Sequence, residues 1–384
     1  MPTYHEKSLT LASPLAFWAA FSDTDERVFL YDTVRNEWIV ACERLSALSQ
    51  EDISNFPYVF YHRPFFNGHQ KSPWWDFSEE LIAFKHLFIV KSGEQRYLYT
   101  DTPRDIPDFQ SEMAHDVHLQ RLSNDEADFK RLVTKIQKEI TAAKLVKVVA
   151  AREVIYKTSE KLDPTKILTN LIAQNPKTTV FAYEKSGKCF LGATPELLVE
   201  KSGTEISTMA LAGTSDLAQD PQGKNLSNDA KNAKEQSIVA NEIKQRLATF
   251  GDNVQISERE PLQLANVTHL KQTLSIEDTT HGLLDWTKIL HPTPALGGEP
   301  NQVALELLQK EEAFSRGMYG APLGFINQHG DGRLWVGIRS ALLAENRLYA
   351  YAGAGIVAES QAESEFQETE LKLQTIERAI HGNK

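Results

Sequence analysis

The spacing of apolar residues predicts a chain in which strands and helices are mixed without regular alternation. Short apolar and aromatic runs predict strands at 27–31, 87–90, 146–156, 181–183, 190–192, 198–201, 334–338 and 348–351. Apolar residues at helical spacing predict helices over 229–250 and 366–380, and a third helix around positions 129, 132, 133 and 136. Because no regular helical crossovers separate the strands, we predict an α+β fold with antiparallel or mixed sheets rather than a doubly wound sheet.

The predicted helix at 366–380 has carboxylates at the edge of its apolar stripe. The stripe is formed by Phe366, Thr369, Leu373, Ile376 and Ile380. Glu365, Glu368 and Lys372 share its margin, since steps of three and four residues lie on one helix face. The alternative to a functional role is a solvated charged face with a Glu368–Lys372 ion pair.

A further glutamate, Glu235, lies near the start of the helix predicted over 229–250. Carboxylates without Cys or His nearby favour a hard cation such as Mg²⁺. Glu235 and Glu368 are therefore our candidate metal ligands, and such an ion would keep open positions for an anionic substrate.

One lysine lies in a strand that is otherwise apolar. Lys147 shares a face of the predicted strand with Val149 and Ala151. Apolar surroundings remove hydration and favour the neutral amine, which can take a proton from water as a general base. The alternative is an ordinary lysine at a strand edge whose ammonium group reaches solvent.

Glu196 follows Pro195 in a predicted turn after a strand. A glutamate in such a turn can project into a cleft and act as an acid if burial raises its pKa. The alternative is a solvated glutamate in a turn or at the start of a helix.

Several other residues are candidates for binding an anion. The segments 211–214 and 353–356 place glycines beside strands, where backbone N–H groups can approach a carboxylate, although tight turns would explain them equally well. Arg339 ends a predicted strand, and its guanidinium group suits a bidentate contact with a carboxylate. His269 is a further polar candidate.

Composition narrows the possible partners. The chain has 384 residues, of which 41% are hydrophobic, and 52 acidic against 41 basic residues give a net charge of −11. An acidic chain without a dense basic run is not expected to bind nucleic acid or an anionic membrane. The two cysteines, Cys42 and Cys189, are expected to be free thiols in a reducing cytoplasm, and no apolar run is long enough for a membrane helix.

The order of these motifs resembles that of the chorismate-utilising enzymes. The matching segments, which run from about residue 120 to the end, are 147–152, 194–197, 211–214, 234–236, 290–298, 316–320, Arg339, 353–356 and 365–372. The resemblance implies sheets packed as a sandwich with surrounding helices. We therefore divide the chain into an N-terminal part of the fold, 1–115, and a chorismate-binding catalytic region, 116–384, within one compact unit.

The resemblance also implies a role for each matched residue. Glu235 and Glu368 would coordinate Mg²⁺ bound to the ring carboxylate of chorismate, with Glu365 in support. Lys147 would activate water for attack at C2, and Glu196 would protonate the departing C4 hydroxyl. The remaining positions would bind substrate, and they are Gly213, His269, Ala295, Tyr319, Arg339, Gly353, Ala354, Gly355 and Lys372.

Within the family, the isochorismate synthases of menaquinone or siderophore biosynthesis match best. Ala212 stands where some aminodeoxychorismate synthases have a lysine nucleophile, and no glutamine amidotransferase region or partner is expected. The alternatives are a salicylate-forming enzyme, an aminotransferring enzyme, and a chorismate-binding regulator without activity. Gln236 and Asn232 depart from the usual His and acid of the family, which predicts weaker support for the metal.

Overall fold

The computed structural model describes residues 2–68, 70–110, 112, 117–123, 125–251 and 253–382. Its strands are β1 (His5–Lys7), β2 (Glu26–Asp32), β3 (Glu37–Ala47), β4 (Tyr58–His62), β5 (Glu80–Lys91), β6 (Glu94–Tyr99), β7 (Leu119–Arg121), β8 (Lys147–Thr158), β9 (Thr179–Lys185), β10 (Lys188–Thr194), β11 (Leu197–Ser202), β12 (Glu205–Asp216), β13 (Gln255–Ile256), β14 (Glu260–Gln263), β15 (Val267–Glu277), β16 (Gly298–Glu299), β17 (Pro322–Asn327), β18 (Gly332–Val336), β19 (Ser340–Ala344) and β20 (Arg347–Ile356). Its helices are α1 (Leu15–Ala20), α2 (Glu126–Thr141), α3 (Pro164–Gln174), α4 (Lys224–Asn228), α5 (Ala230–Ala248), α6 (Leu283–Leu290), α7 (Asn301–Glu311) and α8 (Ala362–His381).

The strands form two antiparallel sheets that are joined through β5. The first sheet runs β1-β6-β5-β3-β2-β9-β10-β19-β20-β8, with the short β7 and β16 on β8. The second runs β4-β17-β18-β11-β12-β15, with β13 and β14 on β15. Because the start of β5 pairs with β4 and the rest with β3, hydrogen bonding is continuous between the two sheets.

The sheets pack face to face, with helices on their outer faces. A buried cluster with Phe29, Leu168 and Ile376 joins the first sheet to α1, α3 and α8. A second joins the other sheet to α5 and α6, and a third, rich in aromatic residues, contains side chains from both sheets. This is the predicted α+β fold with large antiparallel sheets and surrounding helices, and period-two alternation along the strands explains how each sheet serves two cores.

Most of the elements predicted from apolar patterns lie within a few residues of observed ones, although β5 begins at Glu80, well before the strand expected at 87–90. The helix expected over 229–250 is α5, whose first turn is capped by the Asp229 carboxylate accepting from the Asn232 N–H at 2.7 Å. The helix expected over 366–380 begins earlier, at Ala362. The strand expected over 334–338 ends at Val336, because the chain turns toward Arg339, which has a positive φ of 52°.

Strands from the first hundred residues hydrogen-bond directly with later strands. β2 pairs with β9 and β4 pairs with β17, so the N-terminal strands lie inside both sheets. The expected boundary between 1–115 and 116–384 falls at residues outside the described part of the chain, and it stays a prediction. None of the described helices is both long and apolar enough to cross a membrane.

Candidate active site

Residues from both sheets, together with α5 and α8, line a cavity with about 690 Å³ of space not filled by atoms, part of it open to solvent. The structure brings most of the predicted site residues to this cavity, namely Lys147, Glu196, Gly213, Glu235, His269, Ala295, Tyr319, Arg339, Gly353, Gly355, Glu368 and Lys372. Two others, Ala354 and Glu365, do not line it.

Lys147 and Glu235 meet in the cavity, one from β8 and the other from α5. Lys147 is fully buried, and its Nζ lies 3.0 Å from Glu235 Oε1. The angle does not suit a hydrogen bond, so Lys147 Nζ has no hydrogen-bond partner among the described residues. Gly355 of β20 makes room for both groups, because a Cβ there would lie 2.1 Å from Glu235 Oε1 and 2.8 Å from Lys147 Cε. A buried amine without a hydrogen bond is available to a bound water or ligand.

Glu196 enters the cavity from the connection between β10 and β11. Its backbone is fixed on both sides, since its N–H donates to Thr194 Oγ1 and its carbonyl accepts from the Val336 N–H. Burial raises the pKa of Glu196 to about 8, although the positive charges of Lys147 and Lys372 oppose that rise. The carboxyl group is therefore largely protonated at neutral pH and can donate a proton.

Glu368 and Lys372 occupy successive turns of α8. Lys372 Nζ donates to Glu368 Oε1 at 2.6 Å and to the Gly353 carbonyl at 2.8 Å. Thr214 Oγ1 also donates to Glu368 Oε1 at 3.1 Å. Burial alone would raise the pKa of Glu368, but the Lys372 charge and hydrogen bond outweigh it and lower the pKa. Glu368 is therefore a carboxylate at neutral pH.

His269 and Arg339 form a buried pair on another part of the lining. His269 Nδ1 lies 2.9 Å from the Gly213 carbonyl, and His269 Nε2 lies 2.6 Å from an Arg339 terminal nitrogen. Since arginine only donates, Nε2 accepts and the proton is assigned to Nδ1, which donates to Gly213. Burial lowers the pKa of His269 to about 3, so the ring is neutral.

The Arg339 guanidinium group lacks a carboxylate partner within the described chain. Burial lowers its pKa to about 10, which still leaves it charged at neutral pH. Its backbone has a positive φ of 52°, and Gly192 of β10 packs so closely that a Cβ there would lie 2.6 Å from the Arg339 carbonyl. A buried cation held in place without an ion pair is suited to bind an anionic ligand.

Glu365 lies one helical turn before Glu368, behind the cavity wall. Its carboxylate pairs with Lys231 Nζ at 2.5 Å, and burial followed by the charge of Glu368 raises its pKa. Burial alone would lower the pKa of Lys231, but the charge and hydrogen bond of Glu365, together with the charges of Glu368 and Glu235, outweigh it and raise the pKa. The carboxylates of Glu235, Glu365 and Glu368 thus lie near one another, and each is paired with a lysine, namely Lys147, Lys231 and Lys372 in that order.

These carboxylates are the candidate ligands for a cation. Among the described residues, no three His, Cys, Asp or Glu side chains are placed to hold one ion by themselves. Glu235 and Glu368 nevertheless line the same cavity, and Thr214 adds a hydroxyl beside Glu368. Mg²⁺ is commonly held by one or two carboxylates while water and substrate oxygens complete its coordination, so this oxygen-only donor set fits it.

The remaining predicted residues have distinct environments. Ala354 is fully buried in a cluster that includes Val148 and Ile356, because its side chain lies on the opposite face of β20 from Gly353 and Gly355. Tyr319 is buried beside Tyr351, with ring centroids 5.5 Å apart.

The two departures from the family pattern lie outside the cavity lining. Gln236 Nε2 donates to Gln272 Oε1 at 2.9 Å. Asn232 Oδ1 accepts from the Thr214 N–H at 3.1 Å, and the Asn232 side chain lies against Gly213. Asn232 therefore supports the backbone of the segment 211–214.

Thr214 and Arg316 also line the cavity, and no sequence pattern had indicated a role for either of them. Arg316 is buried, pairs with Glu312, and donates to the carbonyls of Leu296 and Val149. It thereby ties β8 to the segments that carry Ala295 and Tyr319. Both residues lie in matching segments, at 211–214 and 316–320. A single threonine or arginine, however, forms no periodic pattern from which its contacts can be predicted.

Comparison with known proteins adds evidence from outside this chain. The family model described as chorismate binding enzyme matches residues 103–381. The salicylate biosynthesis isochorismate synthase of Pseudomonas aeruginosa is 36% identical over 226 residues, covering 57% of this chain and 48% of that protein. The isochorismate synthase MenF of Bacillus subtilis is 31% identical over 288 residues, covering 73% of this chain and 60% of that protein. The match thus spans about half to three fifths of these relatives.

A solved structure has the same fold. MenF, the menaquinone-specific isochorismate synthase from Escherichia coli, superimposes with a TM-score of 0.85 over 99% of this chain and 95% of that chain. The sequence identity is 21%, so this likeness shows the fold.

Proposed function

This chain belongs to the chorismate binding enzyme family, and we propose on that premise that it is an Mg²⁺-dependent isochorismate synthase. The reaction moves a hydroxyl group from C4 of the chorismate ring to C2 while a double bond migrates. It requires a base for the incoming water and an acid for the leaving hydroxyl. The observation that carries the proposal is one cavity that holds buried Lys147, protonated Glu196 and the unpaired cation Arg339.

Substrate binding follows from the charges of the lining. Chorismate is a dicarboxylate, and Arg339 binds its enolpyruvyl carboxylate together with Tyr319 and the backbone around Gly353 and Gly355. Lys372 and the Gly213 segment contact the ring carboxylate. His269 is neutral and already bonded to Arg339, so it orients the guanidinium group. Ala295 adds an apolar contact to the ring.

The chemical step uses Lys147 and Glu196 as a base and acid pair. As a neutral amine, Lys147 takes a proton from the water that attacks C2, and Glu196 donates its proton to the C4 oxygen as that oxygen departs. The two groups enter the cavity from different elements, β8 and the β10–β11 connection, and the proposed reaction uses them on opposite faces of the ring. The excess proton on Lys147 then returns to Glu196, so the reaction consumes no net acid or base.

Glu235 and Glu368 would hold the magnesium ion, with Glu365 and Lys231 fixing the surrounding charge. When bound, the ion neutralises negative charge at the ring carboxylate and fixes its orientation. Because water rather than ammonia is the nucleophile, we expect a stand-alone enzyme without a glutamine amidotransferase partner. We also expect it to act in the cytoplasm. Its product would feed menaquinone or siderophore biosynthesis.

The decisive experiment incubates the purified protein with chorismate and Mg²⁺ and separates the products by chromatography. We expect isochorismate, loss of its formation on adding EDTA, and recovery with excess Mg²⁺. No product at ample Mg²⁺ would overturn the proposal. Salicylate fluorescence in the same mixture would identify a salicylate-forming enzyme, and an amino product that requires ammonia would identify an aminotransferring one. Chorismate binding by calorimetry without turnover would identify a regulator.

A further inference from the structure

Arg152 lies on β8, five residues after Lys147, with its guanidinium group buried. An odd separation along a strand places two side chains on opposite faces, so Arg152 points away from the cavity and toward α8. Its Nε donates to Thr369 Oγ1 at 2.7 Å, and one terminal nitrogen donates to the carboxylate of Glu370. The guanidinium carbon also lies 4.3 Å from the centre of the Phe366 ring. One side chain thus holds three residues of α8.

These three residues surround Glu368 in the sequence of α8. Thr369 and Glu370 follow it directly, and Phe366 is two residues before it. Thr369 Oγ1 in turn donates to the Phe366 carbonyl at 2.6 Å, so its hydroxyl links the arginine to the helix backbone. Rotation or sliding of this part of α8 would break the contacts of Arg152 and move Glu368 together.

We infer that Arg152 is a positioning residue that fixes α8 against β8 and so sets where Glu368 stands relative to Glu235. The inference rests on the proposed function, in which these two carboxylates hold the magnesium ion. Arg152 touches neither ion nor substrate. Groups that orient metal ligands typically change metal affinity by about 10–100-fold when removed.

The surroundings of Arg152 make this inference testable in a folded protein. Its second carboxylate partner is Asp125, and both Asp125 and Glu370 also face Arg121 at 3.1 Å. Removing the Arg152 charge therefore leaves both acids with a cation, which avoids an uncompensated buried charge. Arg121 lies on the outer, solvent-facing side of this network and does not contact Thr369.

The experiment measures Mg²⁺ binding by titration calorimetry for the wild type, Arg152→Met and Arg121→Met, with circular dichroism to verify folding. We expect Arg152→Met to weaken Mg²⁺ binding about tenfold and Arg121→Met to leave it within about twofold. Isochorismate formation by Arg152→Met should recover at saturating Mg²⁺, so that the Mg²⁺ requirement rises while the maximal turnover stays close to normal. A residue needed only for folding would lower the active fraction without changing the Mg²⁺ affinity of the folded molecules.

A second variant covers the case in which Arg152→Met does not fold. Thr369→Val is nearly isosteric and removes only the hydroxyl that Arg152 contacts. We expect it to weaken Mg²⁺ binding about threefold, on the scale of a lost hydrogen bond. Unchanged affinity in folded Arg152→Met, or in Thr369→Val if the former does not fold, would overturn the inference. If the wild type itself bound no Mg²⁺, the proposed metal site would fail and the inference with it.

Discussion

Replacing Glu196 by glutamine keeps the shape of the side chain and removes its transferable proton. In the proposed reaction, Glu196 protonates the leaving hydroxyl, and removing such an acid typically costs about 10²-fold or more in turnover. In the wild type, the protonated form declines as the pH rises through about 8, because burial raises the pKa of Glu196 to about 8. The variant should therefore lose both turnover and any alkaline decline that Glu196 causes.

The same substitution should stabilise the folded protein, with a predictable dependence on pH. Burial raises the pKa of Glu196 from 4.5 to about 8, so between these values the unfolded chain releases a proton that the folded chain keeps. Folding stability from this group is therefore fully present below pH 4.5 and is lost as the pH rises to 8. The loss is at most about 5 kcal/mol. Glutamine cannot ionise, so the variant avoids this loss.

Urea unfolding of both proteins at about pH 5 and about pH 8 measures the effect. We expect the stability difference in favour of Glu196→Gln to grow by several kcal/mol between these values. Glu153→Gln is a matched control, since burial raises the pKa of Glu153 to about 7 and Glu153 lies outside the cavity lining. The control should gain stability in the same direction and keep its turnover. Near-normal turnover in Glu196→Gln, or a stability difference that does not vary with pH, would refute the reasoning.

Three further substitutions test other parts of the site. Lys147→Ala should lower turnover by about 10²-fold or more, measured as isochorismate formed, and near-normal turnover would exclude its role as base. Arg339→Lys should raise the KM for chorismate by about 10–100-fold, the value of a charged hydrogen bond, and a fall in kcat alone would contradict a role in binding. Gly355→Ala places a Cβ 2.1 Å from Glu235 Oε1 and 2.8 Å from Lys147 Cε, so both side chains must move. Turnover and Mg²⁺ affinity should then fall in a protein that is still folded by circular dichroism, whereas normal activity would show that neither side chain is placed as described.

Periodic apolar patterns predicted the main elements because they record which side chains are buried. The stripe of α8 and the apolar run of β8 are both strong patterns, and each element lies close to where its pattern placed it. Alternation along a strand also explains why Ala354 packs away from the cavity while the glycines on either side line it. The position of Ala354 between the two glycines is therefore enough to place its side chain on the other face of the strand.

Contacts between distant segments could not be obtained from such patterns. Lys147 meets Glu235 because β8 and α5 approach each other at Gly355, and no local spacing indicates this approach. Thr214 reaches Glu368 only because an irregular register in β12, at Ala212–Thr214, redirects the strand. Most of the residues that line the cavity were instead expected from the family resemblance, which rests on the order of all the motifs along the chain.

The departure at Asn232 is linked to a neighbouring residue, Asp229. Asn232 Nδ2 donates to Asp229 Oδ1 at 2.8 Å, and the same oxygen accepts from the Asn232 N–H to cap α5. An acid at position 232, as the family often has, would set two carboxylates against each other at this cap. We therefore expect Asn232→Asp to lower stability at neutral pH by about 1–2 kcal/mol, the cost of a lost cap and hydrogen bond.

Combining Asn232→Asp with Asp229→Ser should restore most of this loss in urea unfolding, because serine caps the helix without a charge. If both variants with aspartate at position 232 are equally destabilised, the link to Asp229 is wrong, because aspartate can still accept from the Thr214 N–H as Asn232 Oδ1 does. Restored stability would mean that position 232 is an asparagine because the acidic cap residue Asp229 lies beside it and would repel a second carboxylate. The side chain at position 232 then supports the backbone that carries Gly213 and Thr214, where an acid in the family pattern would support the metal.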